Sequence, residues 1–222
     1  MEYQKNPTLI ENDSFKVIDD EVGPHNFNRQ EYELVRRLIH STGDFDFLEN
    51  TKIGPKAIDA AVAEINKGTT FVCDVQMVTA GISKPLMKKF NCDCVTYVSD
   101  PEVMEKAQEA GVTRSIMGMR KAAEQHPTGI YAIGNAPTAL LELIRLVKEE
   151  SYRPTLIIGV PVGFVNAAES KALLAELEEV PYVACLGRKG GSSLAVAACN
   201  ALLHITNKTY ENGGMNPFTK FD

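Results

Sequence analysis

Five short, nearly continuous apolar runs at residues 70–75, 94–98, 129–133, 155–160 and 181–185 alternate with stretches of helical periodicity, and this alternation limits the folds open to the chain. Short runs rich in Val, Ile and Ala read as strands, and their lack of polar alternation means that both faces are covered, as in a parallel sheet. Between them, at about 55–66, 101–110, 115–125, 136–149 and 167–177, apolar residues recur at helical spacing, and a further helix follows at 193–206. The pattern predicts an α/β fold, an open and mostly parallel five-stranded sheet covered by helices on both faces.

Several helix starts carry their own chemistry. Ser99-Asp100-Pro101-Glu102 offers a cap with Pro in the first turn, and Asn166-Ala-Ala-Glu169 has the spacing of a capping box. No repeat, low-complexity tract or Pro/Ser linker divides the 222 residues, so a single domain is expected over 1–222, with an N-terminal arm at 1–27 and a tail at 207–222 rich in Asn and Gly.

Charge narrows the partners. With 23 basic and 29 acidic side chains the net charge is -6, which lacks the basic excess of a nucleic-acid binder. The first thirty residues hold no continuous apolar run, so neither a secretory signal nor a membrane span is expected and the cytoplasm is the expected compartment. The five cysteines form no CxxC pair, and no HxH or HExxH spacing suggests a metal site.

In open α/β sheets ligands bind beyond the carboxyl ends of strands, where loops enter helices whose free N–H groups favour negative charge. Ile133-Gly134-Asn135-Ala136-Pro137-Thr138 and Gly159-Val-Pro-Val-Gly163-Phe-Val-Asn166 both leave a strand through Gly and enter a helix, so both are expected to help shape a site for an anionic small molecule. Neither is a dinucleotide or Walker fingerprint. The run Gly187-Arg188-Lys189-Gly190-Gly191-Ser192-Ser193 follows a strand too, and reads equally as an anion cradle or a solvated basic turn.

One histidine stands apart. His40 closes a helix that opens with an Asn28/Glu31 capping box and stops at Gly43. At helical spacing Tyr32, Val35, Leu38 and Ile39 form the apolar stripe, while His40 falls on the polar side near Arg36 and Arg37. A cation gains about 0.3–1 kcal/mol at a helix C-terminus, and the two arginines oppose that gain. Spacing alone leaves His40 open as a proton donor or as a terminal cap with Ser41 and Thr42. Thr79, Gly81 and Lys84, and Arg114 at a predicted helix start, are the remaining polar candidates.

Taken in order, Ser14-Phe15, Arg37-x-x-His40, Asp74-x-x-Met77-Val with Gly81, Thr113-Arg114-Ser115, Ala132-Ile-Gly-Asn-Ala-Pro-Thr-Ala139, and Val160-Pro-Val-Gly-Phe-Val-Asn-Ala-Ala-Glu-Ser-Lys171 followed by Gly187-Arg188 and Gly190-Gly191-Ser192 resemble the precorrin-8X methylmutase family. The resemblance spans nearly the whole chain. It implies an isomerase of corrin-ring (vitamin B12) biosynthesis that moves a methyl group between adjacent ring C carbons of a tetrapyrrole, with no cofactor. It implies His40 as the group that protonates or hydrogen-bonds a ring nitrogen, and Ser14 and Arg37 as substrate contacts; Arg114 and Gly81, which stand in its motifs, and Thr79, read from the residues, are further substrate-binding candidates. It also implies a homodimer with sites at the subunit boundary, so that Arg114 acts across it. Arg36 beside Arg37 gives two basic neighbours where the motif requires one.

The same anion-binding turns also fit a non-catalytic carrier that hands a tetrapyrrole intermediate to the next enzyme. On the Gly-rich turns alone, an isomerase or transferase acting on a phosphorylated metabolite is a third reading.

Overall fold

The computed structural model describes residues 5–209. Its sheet contains the five expected strands, β2 (Thr70–Cys73), β3 (Asp93–Val95), β4 (Ile130–Ile133), β5 (Leu156–Gly159) and β6 (Tyr182–Cys185), all paired in parallel. A sixth, β1 (Thr51–Ile53), pairs antiparallel with β6 at one edge, which corrects the expected five-stranded count. Its three residues, with Lys52 exposed, are too short and too polar to register as an apolar run, as is common for edge strands.

The sheet order is β1-β6-β5-β4-β2-β3. Side chains alternate between two covered faces, which is why the strands read as continuous apolar runs. Phe71, Cys73, Ile130, Ala132, Leu156, Ile158, Val183 and Cys185 enter one core. Val72, Tyr131, Ile133, Ile157, Tyr182 and Ala184 enter the other.

The first face is covered by α1 (Pro7–Val22), α2 (Arg29–Thr42), α3 (Asp46–Asn50), α4 (Ala57–Lys67), α5 (Gln76–Gly81), α6 (Lys84–Lys89) and α11 (Ser192–Thr206). The second is covered by α8 (Arg114–Gln125), α9 (Pro137–Glu149) and α10 (Ala167–Ala175), with α7 (Pro101–Glu109) packed on α8. The expected N-terminal arm therefore carries a helix, capped by Asn6, whose side chain accepts from the backbone N–H of Thr8 and Leu9. Most of the expected tail lies outside the described residues.

The local signals at helix ends fare unequally. Asp100 accepts from the N–H of Glu102 and Val103, the Asn28/Glu31 capping box is complete, and Gly43 takes the left-handed conformation at the end of α2. Asn166 instead has φ 61 and caps nothing with its side chain, so the box read at Asn166/Glu169 does not form. The sheet order reverses between β2 and β4, with β3 outside β2. The crevice at such a reversal is the usual ligand entry of an open α/β sheet.

Candidate active site

At the reversal, β2 is followed directly by Asp74, a carboxylate only 1% exposed. It accepts three backbone hydrogen bonds from the turn after β4: Gly134 N–H at 3.1 Å, Asn135 N–H at 2.7 Å and Ala136 N–H at 2.7 Å. Burial pushes its pKa up, against the downward pull of these three donors. The turn read as a cradle for an external anion thus already holds an internal one. Gly134 has a second, steric reason to be Gly, because a Cβ there would strike Ser192 and Ala195 of α11.

The turn after β5 is built differently. Gly163 N–H donates to the Arg188 carbonyl at 3.3 Å, and Gly191 N–H to that of Val160 at 2.9 Å, so the loops after β5 and β6 brace each other. Under them lies Lys171, fully buried, its Nζ donating to the Lys189 carbonyl at 2.7 Å; burial pushes its pKa down to about 8. Above them Phe164 is 86% exposed and Val165 76%. Lys189 reaches away from this pair of loops to Asp44, in the turn that ends α2, and Asp46, the first residue of α3, at 2.5 and 2.7 Å.

That helix end presents His40. The imidazole is exposed, and its ring centroid is 5.0 Å from that of Phe15 on α1. Partial burial lowers its pKa below the ordinary histidine value, Arg37 lowers it further, Glu11 works against both, and Arg36 adds a smaller lowering. In the free protein burial first and the arginines second therefore hold the imidazole below its ordinary value, a direction that spacing left open. Arg37 is bound to Glu11 at 2.8 Å. Ser14, adjacent to Phe15 in the chain, donates its hydroxyl to the Ile10 carbonyl at 2.7 Å, which leaves its oxygen able to accept.

Arg36 is not interchangeable with Arg37. It is 1% exposed, donates to Asp19 at 3.3 Å, and its guanidinium carbon sits 4.1 Å from the Phe15 ring centroid. Tyr32 holds the same Asp19 carboxylate with its hydroxyl at 2.6 Å. Helical spacing put Arg36 on the polar side, but α1 packs over that side and buries it.

The structure thus brings Arg37 and His40 of α2 against Glu11 and Phe15 of α1, with Ser14 next to Phe15 in the chain. Thr79 and Gly81 lie elsewhere, on α5: the Thr79 hydroxyl bonds the Gln76 carbonyl at 2.8 Å, and a side chain at Gly81 would collide with Val196 of α11. Lys84 donates to the Thr79 carbonyl at 2.6 Å. Arg114 is exposed at the start of α8, on the opposite face of the sheet from α2; Thr113 caps that helix and meets Thr138 at 3.2 Å. Sequence reasoning missed Glu11 as the partner of Arg37, although Asn6-Pro7 was a readable helix start. Among the described residues no group of three or more His, Cys, Asp or Glu is placed to hold a metal ion.

The chain matches the family model CbiC, precorrin-8X methylmutase, over residues 9–205. The chain belongs to the precorrin-8X methylmutase family. It is 46% identical over 209 residues to the cobalt-precorrin-8 methylmutase of Leptospira interrogans, covering 91% of this chain and 95% of the relative. It is 48% identical over 207 residues to that of Priestia megaterium, covering 92% of each. The crystal structure of precorrin-8X methyl mutase from Thermus thermophilus superposes with a TM-score of 0.82 at 35% identity, over 90% of this chain and 98% of that one. As a member of the family the chain is an isomerase of corrin-ring biosynthesis, the class that the sequence resemblance implied. No helix among the described residues is long and apolar enough to cross a membrane.

Proposed function

We propose that the chain, acting as one catalytic domain, moves a methyl group between adjacent ring C carbons of cobalt-precorrin-8 to give cobyrinate, with His40 as the proton or hydrogen-bond donor to a ring nitrogen. The observation that carries the reading is the exposed imidazole held against Phe15 beside Arg37, at positions where the family motif places its donor and substrate contacts. The cobalt-bearing substrate is favoured over the metal-free one because relatives named for cobalt-precorrin-8 share 46 and 48% identity. Two named for precorrin-8X, from Sinorhizobium sp and Pseudomonas aeruginosa, share 34 and 36%.

The shift is intramolecular: one carbon–carbon bond breaks as another forms, and no oxidant or reductant enters. The protein's task is to orient the ring and supply one proton, for which a single histidine suffices. Ser14 and Arg37 engage peripheral carboxylates in this reading. Carboxylates arriving at Arg37 offset its charge and raise the proton affinity of His40 from its lowered value, which favours the imidazolium, the form able to give up a proton, on binding. Arg114 lies across the sheet from α2, which favours its acting on the site of a partner copy in a cytoplasmic homodimer. Thr79 and Gly81, on α5 and apart from that group, are further substrate contacts in this reading, reached by a more distant part of the macrocycle.

The test is to incubate purified protein with cobalt-precorrin-8, and separately precorrin-8X, and to follow the absorption spectrum. Conversion by wild type and its loss in His40→Ala are expected; normal turnover by the variant removes His40 as donor. Pigment bound without conversion by wild type identifies a carrier instead.

A further inference from the structure

The arginines of this chain divide by what they already hold. Arg29, Arg36, Arg37, Arg120 and Arg145 face carboxylates, and Arg153 donates to the carbonyls of Val147 and Tyr152. Among the described residues only Arg114 and Arg188 are without a carboxylate or carbonyl partner, in a chain with more acids than bases. Arg114 belongs to the site already proposed. Arg188 is exposed and its guanidinium carbon lies 5.7 Å from the centroid of Phe164.

The backbone beneath Arg188 is held from several sides. Its carbonyl accepts from Gly163, the next carbonyl accepts from buried Lys171, and a Cβ at Gly190 would collide with the Val160 and Pro161 carbonyls. The Lys189 side chain ties the same loop to Asp44 and Asp46, four and six residues beyond His40. Two mutually braced loops therefore present an uncommitted guanidinium, after β6, and two apolar side chains, after β5, and the first of these loops is tied to the segment that follows the helix end carrying His40.

An exposed Phe and Val on a braced turn, next to an unneutralised Arg, match a ligand that is apolar in its body and anionic at its rim. We propose that Arg188 and Phe164 form a specificity-determining contact for the macrocycle: the guanidinium takes a peripheral carboxylate while Phe164, with Val165, lies against the ring. This rests on the functional reading above, and it adds a contact on the loops after β5 and β6 to those on α1 and α2.

The experiment measures product affinity and steady-state kinetics for wild type, Arg188→Gln, Arg188→Lys and Phe164→Ala, each checked for oligomeric state by sedimentation. Both side chains are exposed, so the variants are expected to fold. A charge-assisted hydrogen bond corresponds to about a ten- to hundredfold loss of affinity in Arg188→Gln, carried by KM. Arg188→Lys recovers part of it, because a point charge replaces a bidentate fork. For product whose carboxylates are blocked as esters, Arg188→Gln and wild type bind alike, whereas Phe164→Ala binds both forms more weakly.

Wild-type turnover with unchanged KM in Arg188→Gln overturns the inference alone. Dissociation of the oligomer by Phe164→Ala with product affinity intact also overturns it, identifying the patch as a subunit interface. A wild type that neither binds nor converts the pigment overturns the functional reading and this contact with it.

Discussion

The turns after β4 and β5 look alike as sequence, each leaving a buried parallel strand through Gly and entering a helix, yet they do opposite things. The first is engaged internally: Asp74 takes the N–H groups of Gly134, Asn135 and Ala136. The second is braced by backbone bonds to the loop after β6, which Lys171 supports from below, and turns Phe164 and Val165 outward. A Gly-rich turn at a strand end is therefore an anion site only if no neighbouring strand supplies the anion. What decides it here is one acid directly after β2, at the point where the sheet order reverses.

The largest effect that tests this contrast is on stability. Asp74→Ala leaves a cluster of buried N–H groups without an acceptor, and about 3–5 kcal/mol of unfolding free energy should be lost in urea titrations. Phe164→Ala, at a side chain already in water, should fall within about 0.5 kcal/mol of wild type. If Asp74→Ala costs no more than Phe164→Ala, the two turns are not different in kind.

The same contrast marks the limit of what the sequence made legible. The five parallel strands and the main helices were readable because burial on both faces and helical periodicity are local patterns. β1 was not: its only signature is pairing with β6, a contact more than a hundred residues away. Asp74 was visible as a motif residue, but its engagement with the β4 turn is a property of strand order. Likewise Arg36 and Arg37 are equivalent as sequence, and only the packing of α1 separates them: Phe15 lies against both, but Arg36 is sealed with Asp19 while Arg37 keeps 15% of its side chain exposed beside Glu11. His40 was legible as a polar-face histidine, while its lowered proton affinity depended on how closely the arginines and Glu11 approach.

A smaller effect sharpens the picture of the braced turn. Lys171 has an unfolded pKa near 10.5 and a folded value of about 8, so between these the unfolded chain binds the extra proton and stability rises with pH. The neutral amine still donates to the Lys189 carbonyl, so the loop keeps its support. Wild type should therefore gain up to about 3 kcal/mol relative to Lys171→Met from pH 8 to 10.5, the other titrating groups being common to both. A difference that stays flat over that range would mean that water reaches the ammonium and that the turn is less tightly closed beneath than Phe164 is open above.

The smallest effect asks whether a presented group is tuned by an engaged one, as the comparison of the two turns implies. Glu11, bound to Arg37, raises the proton affinity of His40, while burial and the arginines lower it. Glu11→Gln should move the His40 titration to lower pH in the free protein, followed through its imidazole resonances by NMR. Bound product should move it to higher pH in wild type and in Glu11→Gln alike, because the carboxylates of the ligand then take the place of Glu11 beside Arg37. A His40 titration that ignores both Glu11 and the ligand would leave Arg37 as a binding residue only, and the donor's protonation would have to be set by the ring itself.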